Sequence, residues 1–394
     1  MRKIRIFFVS IVLFLINALL FAVFKIFKVK VLDNHMVGAV GHTTTELDYY
    51  FLLQKDKQIE NKNFFLFLDS SETSEHIKEL FDGKLYIFAS TTLKIIVDRF
   101  IQKNKSFALD IGLGHYLNVP EEKKKTFGHG LREWKEGFER TKIYWILRNK
   151  YPNYYSFKDL NFNTDKEQKL LNELSLDINK KIVLIQIKTY LSNSCAKETD
   201  PQTYIKTIKY FKENGYQIVF IGREQMPKIF EELSVINYAN SKHASWMNDC
   251  LLHKNCFLTI CFGSGLGSLS SVFGKPSLNI GFWQLFTPIQ NEKSLFIPTL
   301  LKDKKKGNLL KFQEQINYCY EKKMQHFNSQ IFSAINPNEL DIFMGIKELI
   351  NIIEEKNTIN SDQIKFNKRF GKIPLYYCKS YISDSFLNKY SYLC

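Results

Sequence analysis

Four short apolar runs in the second half of the chain constrain its fold more than any other feature. They are KIVLIQI at Lys181–Ile187, QIVFI at Gln217–Ile221, FLTIC at Phe257–Cys261 and SLNI at Ser277–Ile280. Strands that are apolar throughout are typical of a parallel sheet that helices cover on both faces. The stretches between them predict helices at Pro201–Asn214, Ser245–His253 and Gly265–Phe273. This alternation predicts an α/β protein with right-handed crossovers and an open parallel sheet.

The first half shows a weaker version of the same pattern. Strands are predicted near Met36–Val40, Phe64–Leu68 and Leu85–Phe88, and helices near Thr45–Leu53, Ser74–Phe81, Thr92–Gln102 and Gly130–Arg148. The polar stretch Asn149–Thr164 is the expected domain boundary. We therefore expect one domain over residues 31–160, a second over 161–335, and a C-terminal helix and tail over 336–394.

The N-terminal segment carries a long run without charge. Ile6–Phe24 is flanked by Arg2, Lys3 and Arg5 on one side and by Lys25, Lys28 and Lys30 on the other. About 20 apolar residues suffice to cross a bilayer, so residues 1–30 are predicted to be a membrane anchor. A cleaved signal peptide is one alternative. The alternation in Lys25–Leu32 suggests another, in which the segment begins a soluble domain.

Composition narrows the function classes. The chain has 394 residues, of which 45% are apolar and 15% aromatic, and this excludes a mainly disordered protein. Its net charge of +15 suits a lysine-rich surface, an anionic membrane or a phosphate-bearing ligand. Nucleic acid is not expected, because no compact basic-aromatic motif occurs. The seven cysteines lack any CxxC pair and are interpreted as reduced, buried thiols of a cytosolic domain: Cys195, Cys250, Cys256, Cys261, Cys319, Cys378 and Cys394.

A glycine-rich turn between a predicted strand and helix is the strongest local motif. It contains Gly263, Ser264, Gly265, Gly267 and Ser268. Glycines let backbone amides approach an anion, and a helix start favours negative charge, so the turn is a candidate diphosphate cradle. The alternative is a tight turn in which glycine serves close packing. Its spacing is not that of the dinucleotide fingerprint.

Two cations follow predicted strands directly. Lys188 comes after KIVLIQI, and Arg223 comes after QIVFIG. Open α/β sheets bind ligands at the carboxyl ends of their strands. Either cation alone would suit a solvated loop, but together with the glycine turn they predict a site for a nucleotide diphosphate.

The first half offers candidates for a general base. His42 follows a predicted strand, and Glu46 and Asp48 come shortly after it. A loop histidine titrates near neutral pH, and a nearby acid could orient it or replace it as the base. The alternative is an ordinary helix cap with acids in the first turn. His115 and His129 lie in two further glycine-containing loops.

Several missing motifs limit the chemistry. There is no Asp-x-Asp, HExxH or GxSxG, and the eight histidines show no metal-ligand spacing. We expect neither a metal nor a cofactor.

Three segments together resemble one protein family. They are IVLIQIK, DPQTYIKTIKYFKENGYQIVFIGRE and the run from VINYANSKHASW to FGKPSLNIGFW, with SFLNKYSYL near the C-terminus. In these strings the chain resembles a family of bacterial glycosyltransferases associated with surface polysaccharide. The resemblance runs from about Val37 to the end and is thinnest over residues 60–160. Lys188 stands where relatives often have arginine.

The resemblance implies a GT-B-like fold, with two Rossmann-like domains facing across a cleft. It places Ser264, Gly265 and Arg223 on the side of a nucleotide-sugar donor, and His42 on the side of a glycan or lipid-linked acceptor. The expected function is metal-independent glycosyl transfer by a membrane-anchored enzyme whose catalytic domain is cytoplasmic. The alternatives are a sugar-nucleotide epimerase of the same architecture and a non-catalytic membrane protein that binds glycan or anionic lipid.

Overall fold

Two parallel sheets organise the molecule. The computed structural model describes residues 2–33, 40–59, 63–113, 134–160, 162–189, 199–262, 265–281, 291–321, 328–371 and 373–394. Within these residues the first half forms a four-stranded parallel sheet and the second half a seven-stranded parallel sheet. The predicted α/β class with parallel sheets is confirmed.

The first sheet has the strand order β3-β2-β1-β4. Its strands are β1 (Lys30–Asp33), β2 (Phe64–Leu68), β3 (Tyr86–Ala89) and β4 (Ala108–Asp110). The helices of this half are α1 (Arg2–Ile26), α2 (Val40–Lys55), α3 (Glu72–Leu80), α4 (Thr91–Lys103) and α5 (Trp134–Lys150). Ser71 and Ser90 cap α3 and α4 by accepting backbone N–H bonds, which explains where these helices begin.

One boundary in the first half was predicted wrongly. Helix α2 already begins at Val40, so Gly41 and His42 lie in its first turn and not in a loop. Residues 36–39 of the strand predicted there lie outside the described residues, and the described strand at this point is β1.

The second sheet has the order β13-β10-β9-β8-β5-β6-β7. Its strands are β5 (Ile182–Gln186), β6 (Gln217–Phe220), β7 (Ile236–Asn237), β8 (Leu258–Phe262), β9 (Ser277–Ile280), β10 (Leu295–Ile297) and β13 (Tyr381–Ile382). From β5 the chain adds β6 and β7 on one side, then returns to place β8, β9 and β10 on the other. The direction of winding therefore reverses between β5 and β8, which is where sheets of this kind leave a crevice.

The helices of the second half follow the predicted alternation. They are α6 (Thr164–Glu173), α7 (Ile205–Glu213), α8 (Lys228–Glu232), α9 (Trp246–Asn255), α10 (Leu266–Val272), α11 (Phe312–Glu321), α12 (Glu339–Ile353), α13 (Ser361–Arg369), α14 (Pro374–Tyr377) and α15 (Asp384–Lys389). Strands β11 (Leu300–Asp303) and β12 (Phe332–Ile335) form a separate antiparallel pair. The tail crosses back to the first half, where the Asn149 side-chain amide donates to the Tyr377 carbonyl at 2.8 Å.

Apolar packing joins the two halves. One buried cluster lies within the second half and includes Val183, Ile218 and Ile346. A second cluster contains Leu47 and Tyr50 of α2 together with Leu266 and Leu269 of α10. Helices α2 and α10 therefore share one buried core across the two halves.

The expectation of a membrane-spanning anchor in residues 1–30 finds no support in the described residues. Among the described residues, no helix combines the length and apolar content that a membrane span requires. The C-terminal end of α1 packs on the first sheet layer, where the Phe24 ring lies 5.1 Å from the Phe100 ring of α4.

The described cysteines agree with the predicted thiols in most positions. Cys250, Cys256, Cys261 and Cys378 are buried and free, whereas Cys394 is free but exposed. Cys195 and the side chain of Cys319 lie outside the described residues.

Candidate functional site

The crevice of the second sheet begins where β5 and β8 end side by side. Gln186 of β5 pairs in register with Cys261 of β8. The Gln186 side-chain oxygen accepts a hydrogen bond from the Phe262 backbone N–H at 3.2 Å, which ties the two strand ends together. Lys188 lies two residues beyond Gln186 and is half-buried, and its carbonyl accepts from the Thr199 N–H at 2.8 Å. Lys188 therefore lies at the switch point.

The turn after β6 reaches the same place. Gly222 has a φ of 114°, a conformation that favours glycine. A Cβ at Gly222 would lie 3.2 Å from Cγ of Gln186 and 3.9 Å from Cδ1 of Leu266. The turn thus lies against both the end of β5 and the start of α10, and Arg223 follows it with an exposed side chain.

The glycine-rich turn combines an open position with a packed one. Gly263 and Ser264 lie outside the described residues, but Gly265 is exposed at the start of α10. Gly267 is buried, and a Cβ there would lie 2.8 Å from Oδ1 of Asn279. Gly267 therefore permits close packing of α10 on β9, the alternative interpretation of the motif, and it is not positioned to contact a ligand. Ser268 is half-buried, and its backbone N–H is already bonded to the Gly265 carbonyl at 3.1 Å.

The two halves meet at a glycine pair. A Cβ at Gly41 would lie 2.5 Å from Cα of Gly265, and a Cβ at Gly265 would lie 2.9 Å from N of Gly41. Real Cβ atoms do not approach backbone this closely, so both positions require glycine unless the helices separate. His42 follows Gly41 directly, although the placement of its side chain lies outside the description. The first turn of α2 and the glycine turn after β8 are consequently in backbone contact.

Asp48 has a structural position that excludes the predicted role as a base. It is fully buried. Its two oxygens accept from the Tyr144 hydroxyl at 2.9 Å and the Ser156 hydroxyl at 2.6 Å. Nη1 of the buried Arg148 lies 3.8 Å away. A carboxylate that is paired and satisfied inside the core has no access to a substrate, so the candidacy of Asp48 is corrected.

Glu46 lies two residues before the buried Asp48 and is itself only 1% exposed. Direct contact of its carboxyl group with an acceptor hydroxyl would therefore need a rearrangement of α2. Of the three predicted candidates for a base, His42 is the one that the first turn of α2 brings to the glycine turn.

Sequence reasoning missed a titratable pair in α9. Asp249 is half-buried in the first turn of this helix. Burial raises the pKa of Asp249 to about 7, opposed by the Tyr238 hydroxyl and by the charge of Arg223. His253 is fully buried, with Nδ1 2.7 Å from the Asp249 carbonyl oxygen, and burial lowers the pKa of His253 to about 4. Helix-start acids are common, so the local pattern gave no signal for Asp249.

The remaining candidates do not join this site. His115 and His129 lie outside the described residues. Asp110, near the first of these loops, lies 3.2 Å from Nη1 of Arg140 in an ion pair. Over the described ranges, no three His, Cys, Asp or Glu side chains are grouped so that they could hold a metal ion.

Comparison with known proteins yields distant structural likenesses only. No family model and no curated protein matches the chain. Among solved structures, it is similar to an ADP-heptose lipopolysaccharide heptosyltransferase II of E. coli, with 11% identity over 83% of this chain and 100% of that one and a TM-score of 0.46. A glycosyl transferase family 9 protein of Veillonella parvula gives 11% identity over 83% and 97%, with a TM-score of 0.45. A UDP-GlcNAc 2-epimerase of Methanocaldococcus jannaschii gives 10% identity over 78% and 80%, with a TM-score of 0.26. At these values the likenesses assign neither a family nor an activity to this chain.

Proposed function

We propose that the chain is a GT-B-like glycosyltransferase that moves a sugar from a nucleotide-diphosphate sugar to a hydroxyl of a surface glycan or glycolipid. The observation that carries the proposal is the backbone contact between Gly41 and Gly265. Through this contact, the first turn of α2, which includes His42, lies next to the start of α10. We take Lys188 and Arg223, at the ends of nearby strands, as the donor side. The cationic crevice belongs to one half of the chain, and the helix start that contains His42 belongs to the other. This arrangement suits a reaction between a donor and an acceptor.

The leaving group in such a transfer is a nucleoside diphosphate that gains negative charge. Lys188 and Arg223 lie at the ends of neighbouring strands, and each would neutralise part of that charge. The exposed turn at Gly265 lets a phosphate approach the backbone without a side chain in the way. Loss of one preorganised donor to developing charge typically costs about 2.7–4 kcal/mol of transition-state stabilisation. With two cations in these positions, the proposed reaction proceeds without a metal.

The acceptor hydroxyl must lose its proton as it attacks the anomeric carbon. We place this task on His42, because Asp48 is engaged in the core and Glu46 is buried. A histidine whose pKa lies near the working pH contributes about 10²–10⁴-fold as a general base.

Transfer from purified nucleotide-sugar donors to lipid-linked or glycan acceptors tests the proposal, read out as glycosylated acceptor and released nucleotide. Arg223→Ala should lower turnover about 10²-fold or more without lowering the free energy of unfolding. Arg369→Ala, which removes another exposed arginine from the end of α13, is the matched control and should leave turnover unchanged.

The variant His42→Ala separates the base from the binding site. It should abolish transfer while nucleotide binding persists. Transfer at the wild-type rate in both the His42 and the Arg223 variants would refute the assignment. Release, in the absence of any acceptor, of a sugar inverted at one ring carbon would identify the chain as an epimerase instead.

A further inference from the structure

A row of aromatic side chains on one face of the first sheet is partly exposed to solvent. Side chains of alternate residues in β2 and β3 point to this face: Phe65, Phe67, Tyr86 and Phe88. Their rings stack across the strands, with centroids 5.0 Å apart for Phe65 and Tyr86 and 5.3 Å apart for Phe67 and Phe88. Tyr86 is 61% exposed and Phe88 is 42% exposed on the edge strand β3. An aromatic edge of this kind is costly in water and marks a contact surface.

The helices on the same face extend the apolar surface. Val97 and Phe100 of α4 pack onto the sheet, and Phe24 of α1 packs on them. Beyond these contacts, Ile95 of α4 and Ile26 of α1 are exposed at 44% and 72%. Exposed apolar side chains continue along the described part of α1 and just past its end: Ile11, Val12, Phe14, Leu15, Leu19, Phe21, Val23 and Phe27.

The exposed charges of these elements are all positive over the described residues 11–33 and 91–107. They are Lys25 and Lys28 at the end of α1, Arg99 and Lys103 of α4, and Lys105 in the short turn that follows. The one acid of α4, Asp98, is buried and lies 2.5 Å from the ammonium nitrogen of Lys94. Ile95, Arg99 and Lys103 recur at helical spacing, so they share the outer surface of α4.

We propose that this face, formed by the β3 edge, α4 and α1, docks on an anionic lipid surface. We define it as the α4 face. Apolar and aromatic side chains interleaved with exposed cations are what an interfacial protein presents to acidic headgroups and the upper acyl region. In a symmetric dimer formed through this face, the five cations of one copy would instead lie against the same five cations of the other copy and repel them.

Docking through the α4 face leaves the candidate site uncovered. Leu32, Leu66 and Ile87 point to the opposite face of the first sheet, where they belong to the cluster that contains α2 and α10. The proposal is independent of the proposed glycosyl transfer, because lipid binding requires no donor and no turnover.

Sedimentation of the full chain with vesicles tests the proposal. Vesicles of phosphatidylcholine with about one third phosphatidylglycerol should bind the chain, and binding should fall as salt rises toward 0.5 M, since the Debye length shrinks to a few ångströms. The triple variant Arg99→Glu, Lys103→Glu, Lys105→Glu should bind at least about tenfold more weakly, given the attraction of each cation to the leaflet.

A second variant tests the aromatic edge, and a third provides the charge control. Tyr86→Ser with Phe88→Ser should weaken binding, whereas the unfolding midpoint should fall only slightly, because both side chains are exposed and lose only their stacking on Phe65 and Phe67. Lys304→Glu, Lys305→Glu, Lys306→Glu makes the same charge change in the second half, and this variant should bind like the wild type.

Three results would overturn the proposal. The first is wild-type binding by the α4 triple variant, and the second is an equal loss in the control triple variant. The third is a dimer in solution that Tyr86→Ser with Phe88→Ser converts to a monomer, without any binding to vesicles.

Discussion

The contact between Gly41 and Gly265 can be tested by adding a single methyl group. In Gly41→Ala the new Cβ would lie 2.5 Å from Cα of Gly265, and the atoms of Gly265 that it meets are backbone atoms that cannot rotate away. The variant must therefore move the first turn of α2 away from the start of α10. This displacement would widen the contact on which the proposed site depends.

Two opposing effects set the size of the change. Overpacking a tight contact costs about 1–3 kcal/mol. Alanine favours a helix over glycine by about 1 kcal/mol in its interior and by less in the first turn, where Gly41 lies. We expect a net loss of about 1–2 kcal/mol in the free energy of unfolding, since the clash exceeds the gain in helix propensity.

Urea unfolding of four variants measures this balance. Gly265→Ala should also destabilise, and the double variant should lose less than the sum of the two, because the first substitution already separates the helices. Gly371→Ala is the control: its Cβ would lie 3.9 Å from Cδ2 of Tyr376, an ordinary contact, so the change should stay within about 0.5 kcal/mol. If Gly41→Ala is as stable as the wild type, or if the double variant is additive, the contact is looser than described.

Further predictions concern the buried charges. Asp48→Asn should lower the free energy of unfolding by about 3–5 kcal/mol, measured in urea, because it removes the nearest negative charge from the buried Arg148; a loss below 1 kcal/mol would show that the pair is solvated. The raised pKa of Asp249, about 7, means that the folded state binds more protons than the unfolded chain, so this group makes stability fall as pH rises from about 4 to 7. The lowered pKa of His253, about 4, acts oppositely and makes stability fall as pH drops from about 6.5 to 4. We therefore expect the slope of the free energy of unfolding against pH, measured from pH 4 to 7, to become more positive in Asp249→Asn and more negative in His253→Gln. Unchanged slopes would contradict the burial of these groups.

The second half was predictable because its strands are buried on both faces. Ser277–Ile280 was predicted with the bounds that the structure shows, and Lys181–Ile187 was one residue too long at each end. Continuous apolar runs bounded by capping residues carry this information locally. The edge strand β13 was not predicted, because two residues acquire strand geometry only by pairing Tyr381 with Leu295 from a distant segment.

Within the candidate site, only the positions of the two cations at the strand ends were predictable from the sequence. Lys188 and Arg223 follow recognisable strands, so sheet topology alone brings them to one edge. The burial of Asp48 depends on Tyr144, Arg148 and Ser156, which come from remote segments, and the local pattern resembled a helix start. The sequence placed Gly267 in the candidate diphosphate-binding turn, whereas its role in close packing depends on Asn279 of the neighbouring strand β9.

The position of a bound nucleoside diphosphate tests the proposed donor site directly. Thermal-shift measurements with UDP, GDP and ADP identify which of these stabilises the chain, and a crystal structure of that complex locates the diphosphate. We predict that the diphosphate lies against the turn at Gly265, between the side chains of Lys188 and Arg223. A diphosphate bound elsewhere, or a crevice between β5 and β8 filled by the chain's own side chains, would contradict it.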